Sequence, residues 1–286
     1  MVAGKHAFCI MVHEKWSQLQ KLIDCIDDER NDIFLHVDAK SYDEFLKFGK
    51  PKTQKSHLHI IDKPVSVAWS DVSLSDAEVL TLKSVLDTGI PYAYTHFLSG
   101  ADLPLVNMTK IHDFFEGRSE EFVDLRFNPE FRKRLKYYHF FVKKRRNSFF
   151  YDNLRRLLLM PQLLFVNRLR KCPLKYAYGS FWFSITYDAL REVVGRYDEV
   201  RKYFVKTTCG DEHYIQMILY SSPKNFVFAK EGNLRYVIFD KGAASPRVLS
   251  MKEYPDMMSS GCLFGRKFEE GTEVYEKMCQ RVCSCK

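Results

Sequence analysis

The stretch 207-TTCGDEHYIQMILYSSP-223 sets two adjacent carboxylates, Asp211 and Glu212, just after a glycine and just before an apolar-periodic run where a helix is expected to begin. Such a pair has a structural explanation. Acids in a first turn complement the positive end of the helix dipole, and Gly210 or Asp211 could serve as N-cap. It also has a chemical one, because a carboxylate held at a helix start can take a proton from a hydroxyl. Other polar residues sit where strands should end: His13 after 6-HAFCIMV-12, Asp38 at the end of 33-IFLHVD-38, and Asp102 in 99-SGADLPL-105. There is no GxGxxG fingerprint and no GxxxxGK[ST] loop, which argues against hydride transfer and NTP hydrolysis. No HExxH motif and no His/Cys cluster with metal-ligand spacing occurs, so no metal site is expected.

The elements that must position these residues alternate. The run 6–12 reads as a strand. Trp16, Leu19, Leu22, Ile23 and Ile26 recur at helical spacing, and 33–38 reads as a second buried strand, completing a β-α-β unit. In such sheets a ligand sits beyond the carboxyl ends of the strands, where His13 and Asp38 fall. Further expectations are a strand at 58–62, a helix over 70–88 with Val72, Val79, Leu82 and Leu86 on one face, a strand at 92–100, and a helix over 109–117 closed by Gly117. The segment 178–196 reads as a glycine-led strand then a helix, followed by the helix opening at Asp211, strands at 226–230 and 234–240, and a loop at 241–249. The second half is expected to complete the same sheet rather than form a separate domain.

The 286 residues, 46% hydrophobic and 15% aromatic, are enough for one large α/β domain with a substantial core. No run of eighteen apolar residues occurs and the start does not read as a signal peptide, so the chain is expected in the cytoplasm. Eight cysteines are scattered singly except in the terminal CQRVCSCK, which points to free thiols and a frayed tail over 271–286. Charge is uneven. Residues 131–175 carry fourteen Lys or Arg against one acid, Asp152, a net +13 in a chain whose total is +8, so the remainder carries −5. This insertion interleaves cations with aromatic and aliphatic residues, as a surface meeting anionic lipid or nucleic acid would, and a solvated basic insertion is the plainer explanation.

The segments IMVHEKWSQLQKLI, IFLHVDAKS, VAWSDVSLSDAEVLTL, THFLSGADLPL, YGSFWFSIT, GDEHYIQMIL and CLFGRKFE occur here in the order, and at separations similar to those, of the core-2/I-branching β-1,6-N-acetylglucosaminyltransferase family, which also contains the protein xylosyltransferases. The resemblance covers roughly residues 5 to 270 and leaves the basic insertion largely outside. It is similar to bacterial-type members. What it implies is an α/β, GT-A-like single domain with a central mixed sheet flanked by helices. The nucleotide-binding half would be about 1–125 and the acceptor and catalytic half 176–270. It also implies a UDP-sugar donor, inversion at the anomeric carbon, and no metal or other cofactor.

In that resemblance Glu212 matches the catalytic base, within a PDE motif whose proline is here Gly210. Asp211 is then a cap or an orienting acid on the acceptor side, since neighbouring helical residues point about 100° apart. Arg235 in 233-NLRYVIFD-240 and Lys267 in 263-LFGRKFE-269 match the diphosphate-binding cations, with adjacent Arg266 an alternative to either. Val12, His13 and Asp38 match the uridine end of the donor site, although His13 could instead cap the following helix. Asp102 falls near the donor sugar, and Trp182 in 179-GSFWFS-184 near the acceptor wall. The sequence 36-HVDAKS-41 offers one aspartate and no DxD pair to bridge a cation to the diphosphate.

The implied partners are a UDP-sugar and a glycan or lipid-linked glycan acceptor. The basic insertion is expected to meet the anionic inner face of the plasma membrane, or else the core or a second copy of the chain. Two other readings compete: a nucleic-acid-binding protein using 131–175, which accounts for that segment alone, and a glycan-binding protein that keeps the fold without activity. No nucleic-acid partner is expected.

Overall fold

The computed structural model describes residues 4–145 and 149–283. Met1 to Ala3, Arg146 of the basic insertion and Cys285 of the terminal cysteine motif lie outside them. Strands β1 (His6–Val12), β2 (Asn31–Val37), β3 (His57–Ile60) and β4 (Tyr94–Ser99) form a parallel sheet in the order β3-β2-β1-β4. Strands β1, β2 and β4 are buried almost throughout, as strands covered on both faces must be, whereas β3 is a partly exposed edge strand. Along β1 the side chains alternate: Phe8, Ile10 and Val12 join the core on one face, Ala7 and Cys9 the core on the other.

The first core is closed by helices α1 (Trp16–Ile26) and α4 (Met108–Phe115), the second by α3 (Ser73–Asp87). A short helix, α2 (Tyr42–Phe48), follows β2. In α1 all five expected core positions, Trp16, Leu19, Leu22, Ile23 and Ile26, are buried. In α3, Leu82 is buried as expected, while Val72, Val79 and Leu86 are only partly so. Its inward face also carries Glu78, Thr81 and two serines.

The second half departs from the expectation in three ways. First, it adds only one strand to the main sheet. Strand β6 (Ser184–Thr186) pairs antiparallel with β4, which makes the sheet mixed. Strands β7 (Arg235–Val237) and β8 (Phe264–Arg266) instead build a separate three-stranded sheet with β5 (Leu103–Pro104), and the expected strand 226–230 is reduced to a bridge from Phe228 to Glu121. Second, helix α9 (Tyr187–Val200) is followed not by a helix opening at Asp211 but by a 3₁₀ turn over Gly210–Glu212, with α10 (Tyr214–Tyr220) beginning behind it. No side chain caps α10, so Asp211 is not its cap.

Third, the tail is not frayed. After α11 (Tyr254–Ser259), helix α12 (Glu273–Cys283) buries Val274, Tyr275, Met278, Cys279 and Val282 against the α1 side of the sheet, and Cys283 is disulfide-bonded to Cys25 of α1. The other cysteines within the described residues are free.

The basic insertion forms short helices α5 (Lys133–Lys136), α6 (Val142–Arg145), α7 (Phe149–Leu159) and α8 (Gln162–Phe165). Helix α7 buries none of its residues, and Phe149, Leu164 and Phe165 are 80–85% exposed. Among the described residues no helix is long and apolar enough to cross a membrane. Parallel strands with helices on both faces and one antiparallel strand give the α/β arrangement of a central mixed sheet flanked by helices that the resemblance implies.

Candidate active site

The carboxyl ends of β1 and β2 lie side by side, with the backbone N–H of Asp38 donating to the Val12 carbonyl at 2.9 Å. The Asp38 carboxylate is largely turned inward. It accepts from the Lys40 backbone N–H at 2.9 Å, capping the turn at 39–41, and lies 3.4 Å from Lys40 Nζ. His13 stands in solvent, its side chain 69% exposed and 3.7 Å from Glu14. It does not cap α1, whose start at Lys15 has no side-chain cap. Gly100, in the loop after β4, approaches so closely that a Cβ there would fall 2.7 Å from Val12 Cγ2. Val12, Asp38 and the Asp102 loop therefore share one edge of the sheet.

Asp102 is buried in that loop, where it accepts from Ser99 Oγ at 2.7 Å and the Ser99 backbone N–H at 3.0 Å. The β8 end is laid against it: Phe268 N–H donates to the Ala101 carbonyl at 2.9 Å, and Arg266 Nε is 3.4 Å from Asp102 Oδ1. The Arg266 guanidinium also lies 4.0 Å from the centroid of the Trp182 ring, which stacks in turn near Phe97. Burial lowers the Arg266 pKa and Asp102 opposes the shift. Arg266 Nε and Nη1 are buried and make no hydrogen bond among the described residues, Nε meeting Asp102 only in the 3.4 Å ion pair. Trp182 thus belongs to a group with Asp102 and Arg266. Lys267 follows directly, its carbonyl accepting from Leu249 N–H at 2.8 Å.

Arg235 is placed differently from a cleft-facing cation. It is buried, with Nη1 donating to Ser184 Oγ at 2.8 Å and to the Asn233 carbonyl, and Nη2 donating to the carbonyls of Phe97 and Phe183. It ties the small sheet to β4 and β6. Burial lowers its pKa to about 9.

Glu212 lies in the 3₁₀ turn over Gly210–Glu212. Its carbonyl accepts from Gly179 N–H at 2.9 Å, so the segment 179–184 links it to Trp182. The half-exposed Glu212 carboxylate forms an ion pair with Nη1 of Arg134 in α5. Asp211 points inward. Burial first, then the charge of Glu212, push its carboxyl up to about 7, and its Oδ1 has no hydrogen-bond partner. Behind it, Glu78 of α3 accepts from the Tyr214 hydroxyl at 2.6 Å and has its own pKa raised well above the usual range, by burial and then by Asp211. The two acids therefore face different ways, as adjacent residues on a turn must.

Arg134 was not singled out among the fourteen cations of the insertion. Its pairing with Glu212 spans 78 positions, and no local pattern distinguishes it from Arg132 or Lys133. Arg266 was visible only as the neighbour of Lys267. Among the described residues, no group of three or more His, Cys, Asp or Glu is arranged to hold a metal ion. A groove of about 590 Å³ lies elsewhere, between α1, α2 and α12, and none of the candidate residues lines it.

Comparison with known proteins gives matches of three kinds. The family model described as Core-2/I-Branching enzyme matches residues 6–258. Two curated relatives are both beta-1,3-galactosyl-O-glycosyl-glycoprotein beta-1,6-N-acetylglucosaminyltransferase 3. The Mus musculus protein is 24% identical over 137 residues, 46% of this chain and 31% of its own length. The Rattus norvegicus protein is 25% identical over 100 residues, 35% of this chain and 23% of its own length. The match thus spans under a third of either relative. Among solved structures, apo mouse xyloside xylosyltransferase 1 aligns over 94% of this chain and 98% of its own at 9% identity, with a TM-score of 0.42. With the family model running from β1 through α11, the chain belongs to the Core-2/I-branching enzyme family.

Proposed function

We propose that the protein is an inverting, metal-independent glycosyltransferase that moves a sugar, with N-acetylglucosamine the first candidate, from a UDP-sugar to a hydroxyl of a glycan or lipid-linked glycan. Family membership supports the reaction class. The relatives' N-acetylglucosaminyltransferase names support the donor. The observation that carries the assignment of the site is Arg266, buried beside Asp102 and Trp182 at the strand ends with two nitrogens that make no hydrogen bond among the described residues. Departure of UDP builds negative charge on the β-phosphate, and preorganised cations stabilise that charge without reorganising. In this reading Arg266 and Lys267 receive the diphosphate, and Arg235 fixes the strand that bears them. Val12, His13 and Asp38 hold the uridine, and Asp102 orients Arg266 near the donor sugar. Glu212 takes the acceptor proton and Asp211 backs it. Metal independence rests on the lone aspartate of the Asp38 turn and on these cations.

The proposal also places the protein at a membrane surface. The outward apolar residues of α7 and α8, including Phe149, Phe150, Leu164 and Phe165, support it, together with the +13 charge of the insertion. Not every cation there is available: Arg155 pairs with Asp152 at 3.0 Å, and Arg168 donates to the carbonyls of Lys202, Tyr203, Val205 and Lys206. Disulfides such as Cys25–Cys283 persist on the oxidising side of a membrane and are rare in the cytoplasm, so the proposal specifies the membrane and not its face.

UDP release measured with UDP-GlcNAc, UDP-xylose and other UDP-sugars, with and without EDTA, tests the reaction. One donor should turn over and chelation should leave its rate intact. No release with any donor, or salt-sensitive binding of nucleic acid instead, would sink the enzyme reading. A strict manganese requirement would sink metal independence alone.

A further inference from the structure

Arg134 occupies the carboxylate that the reaction needs as a base. Its guanidinium pairs with Glu212 Oε2 and lies 4.4 Å from the centroid of the Phe131 ring. Arg132, two residues earlier, is exposed, and its guanidinium lies 5.2 Å from the centroid of Tyr176. Phe131 packs on Tyr178 at 4.7 Å, and Tyr176 and Tyr178 both meet His213, the residue after Glu212. One wall beside Glu212 therefore presents three aromatic rings and two arginines. Apart from Glu212 on Arg134, no ion pair to either arginine occurs among the described residues, Glu130 included. Asp152 is taken by Arg155 and Arg156, each at 3.0 Å, and Asp71 is 3.7 Å from Lys143.

A carboxylate shared with a guanidinium is a poor proton acceptor until the cation finds another anion, and a half-buried cation stripped of its partner is costly. An acceptor carrying its own acid would supply that anion. Resting on the reading of Glu212 as base, we propose that the acceptor bears a carboxylate or phosphate beside the attacked hydroxyl, and that Arg134 and Arg132 bind it and release Glu212 for catalysis. In the step itself the acceptor O–H proton passes to Glu212. The acceptor oxygen bonds to the anomeric carbon, and the bond from that carbon to the β-phosphate oxygen breaks, with its electron pair leaving on UDP. The aromatic wall suits the C–H faces of a sugar, while planar guanidinium groups suit bidentate capture of an acid.

Three matched probes test this: octyl β-lactoside, its analogue with galacturonate in place of galactose, and its 3′-phosphate. Turnover is followed by UDP release and binding to UDP-loaded protein by calorimetry, so that a compound that binds without reacting still gives a ratio. The wild type should favour at least one acidic probe over the neutral one by about tenfold or more, the uronate and phosphate arms showing which acid is used. Arg134→Gln should bring that ratio close to one and Arg134→Lys should restore part of it, which a merely structural role for Arg134 would not do. Equal affinity of the wild type for all three probes, or an unchanged ratio in Arg134→Gln, overturns the proposal. Glu212→Gln separates the two readings: full turnover in that variant removes Glu212 as base, whereas the acid preference set by Arg134 is read independently by binding.

Discussion

Asp211 and Glu212 are neighbours with opposite surroundings, and the difference decides what each can do. Glu212 is half-exposed and ion-paired, whereas Asp211 is buried near Glu78 and Glu212, and burial followed by the charge of Glu212 pushes its carboxyl up to about 7. A carboxyl whose folded pKa lies above its ordinary value near 4 stabilises the fold at low pH, and that contribution is lost as pH rises through the folded pKa. The contribution of Asp211 to the thermal midpoint should therefore fade between about pH 4 and pH 7, while the histidines whose pKa values burial lowers, His6, His36, His96, His112 and His213, pull the midpoint the other way over the same range. The midpoint difference between wild type and Asp211→Asn should accordingly change across that range, whereas Glu121, whose carboxyl burial also pushes up to about 7, acts alike in both. Thermal unfolding across that range checks it, and an unchanged pH dependence in the variant contradicts it. At this scale the sequence was informative where a residue type met a strand end, as with Asp38 and Asp102. It was silent on Arg134, whose partner is remote in sequence, and on the burial of Arg235, which only the packing of two sheets reveals.

Among the elements, long periodic segments were legible and short ones were not. The stripe of α1 and the apolar runs of β1, β2 and β4 carry their own signal. Strands β6, β7 and β8 have three residues each, too few for a period, and their pairing depends on distant partners. Helix α12 did carry a signal, since Val274, Tyr275, Met278, Cys279 and Val282 recur at helical spacing, but a reading of the terminus from its thiols overlooks that stripe. The element on which the site most depends is the segment 179–184. A Cβ at Gly179 would fall 1.9 Å from the Asp124 carbonyl oxygen, so Gly179→Ala must displace the segment that carries Trp182 and braces the Glu212 turn. Both the thermal midpoint and turnover should drop. By contrast Gly195, inside α9 with open space around its Cβ position, should gain about 0.5–1 kcal/mol on change to Ala. Circular dichroism melts of the two variants compare them directly, and a Gly179→Ala protein as stable and active as wild type would refute the bracing role.

For the whole molecule, the division of charge is the main feature. A body of net −5 carries an insertion of net +13 that buries Leu135 and Leu174 in the core but leaves Phe149, Phe150, Leu164 and Phe165 exposed. Near an anionic surface each Lys or Arg contributes about 1 kcal/mol, so several suffice for reversible docking. Co-sedimentation with phosphatidylserine vesicles should show binding that falls with salt and is weakened when Phe149, Leu164 and Phe165 are changed to Ser. A wild type that stays in the supernatant at low salt would redirect the segment to a contact between copies of the chain.

The central claim is that Glu212 removes the acceptor proton in a UDP-sugar-dependent transfer. Its most direct test is acceptor-dependent UDP release by wild type and Glu212→Gln at matched fold and donor affinity. Turnover should drop roughly 10²-fold or more in the variant with UDP binding retained. Transfer by Glu212→Gln at a rate near that of the wild type would contradict it.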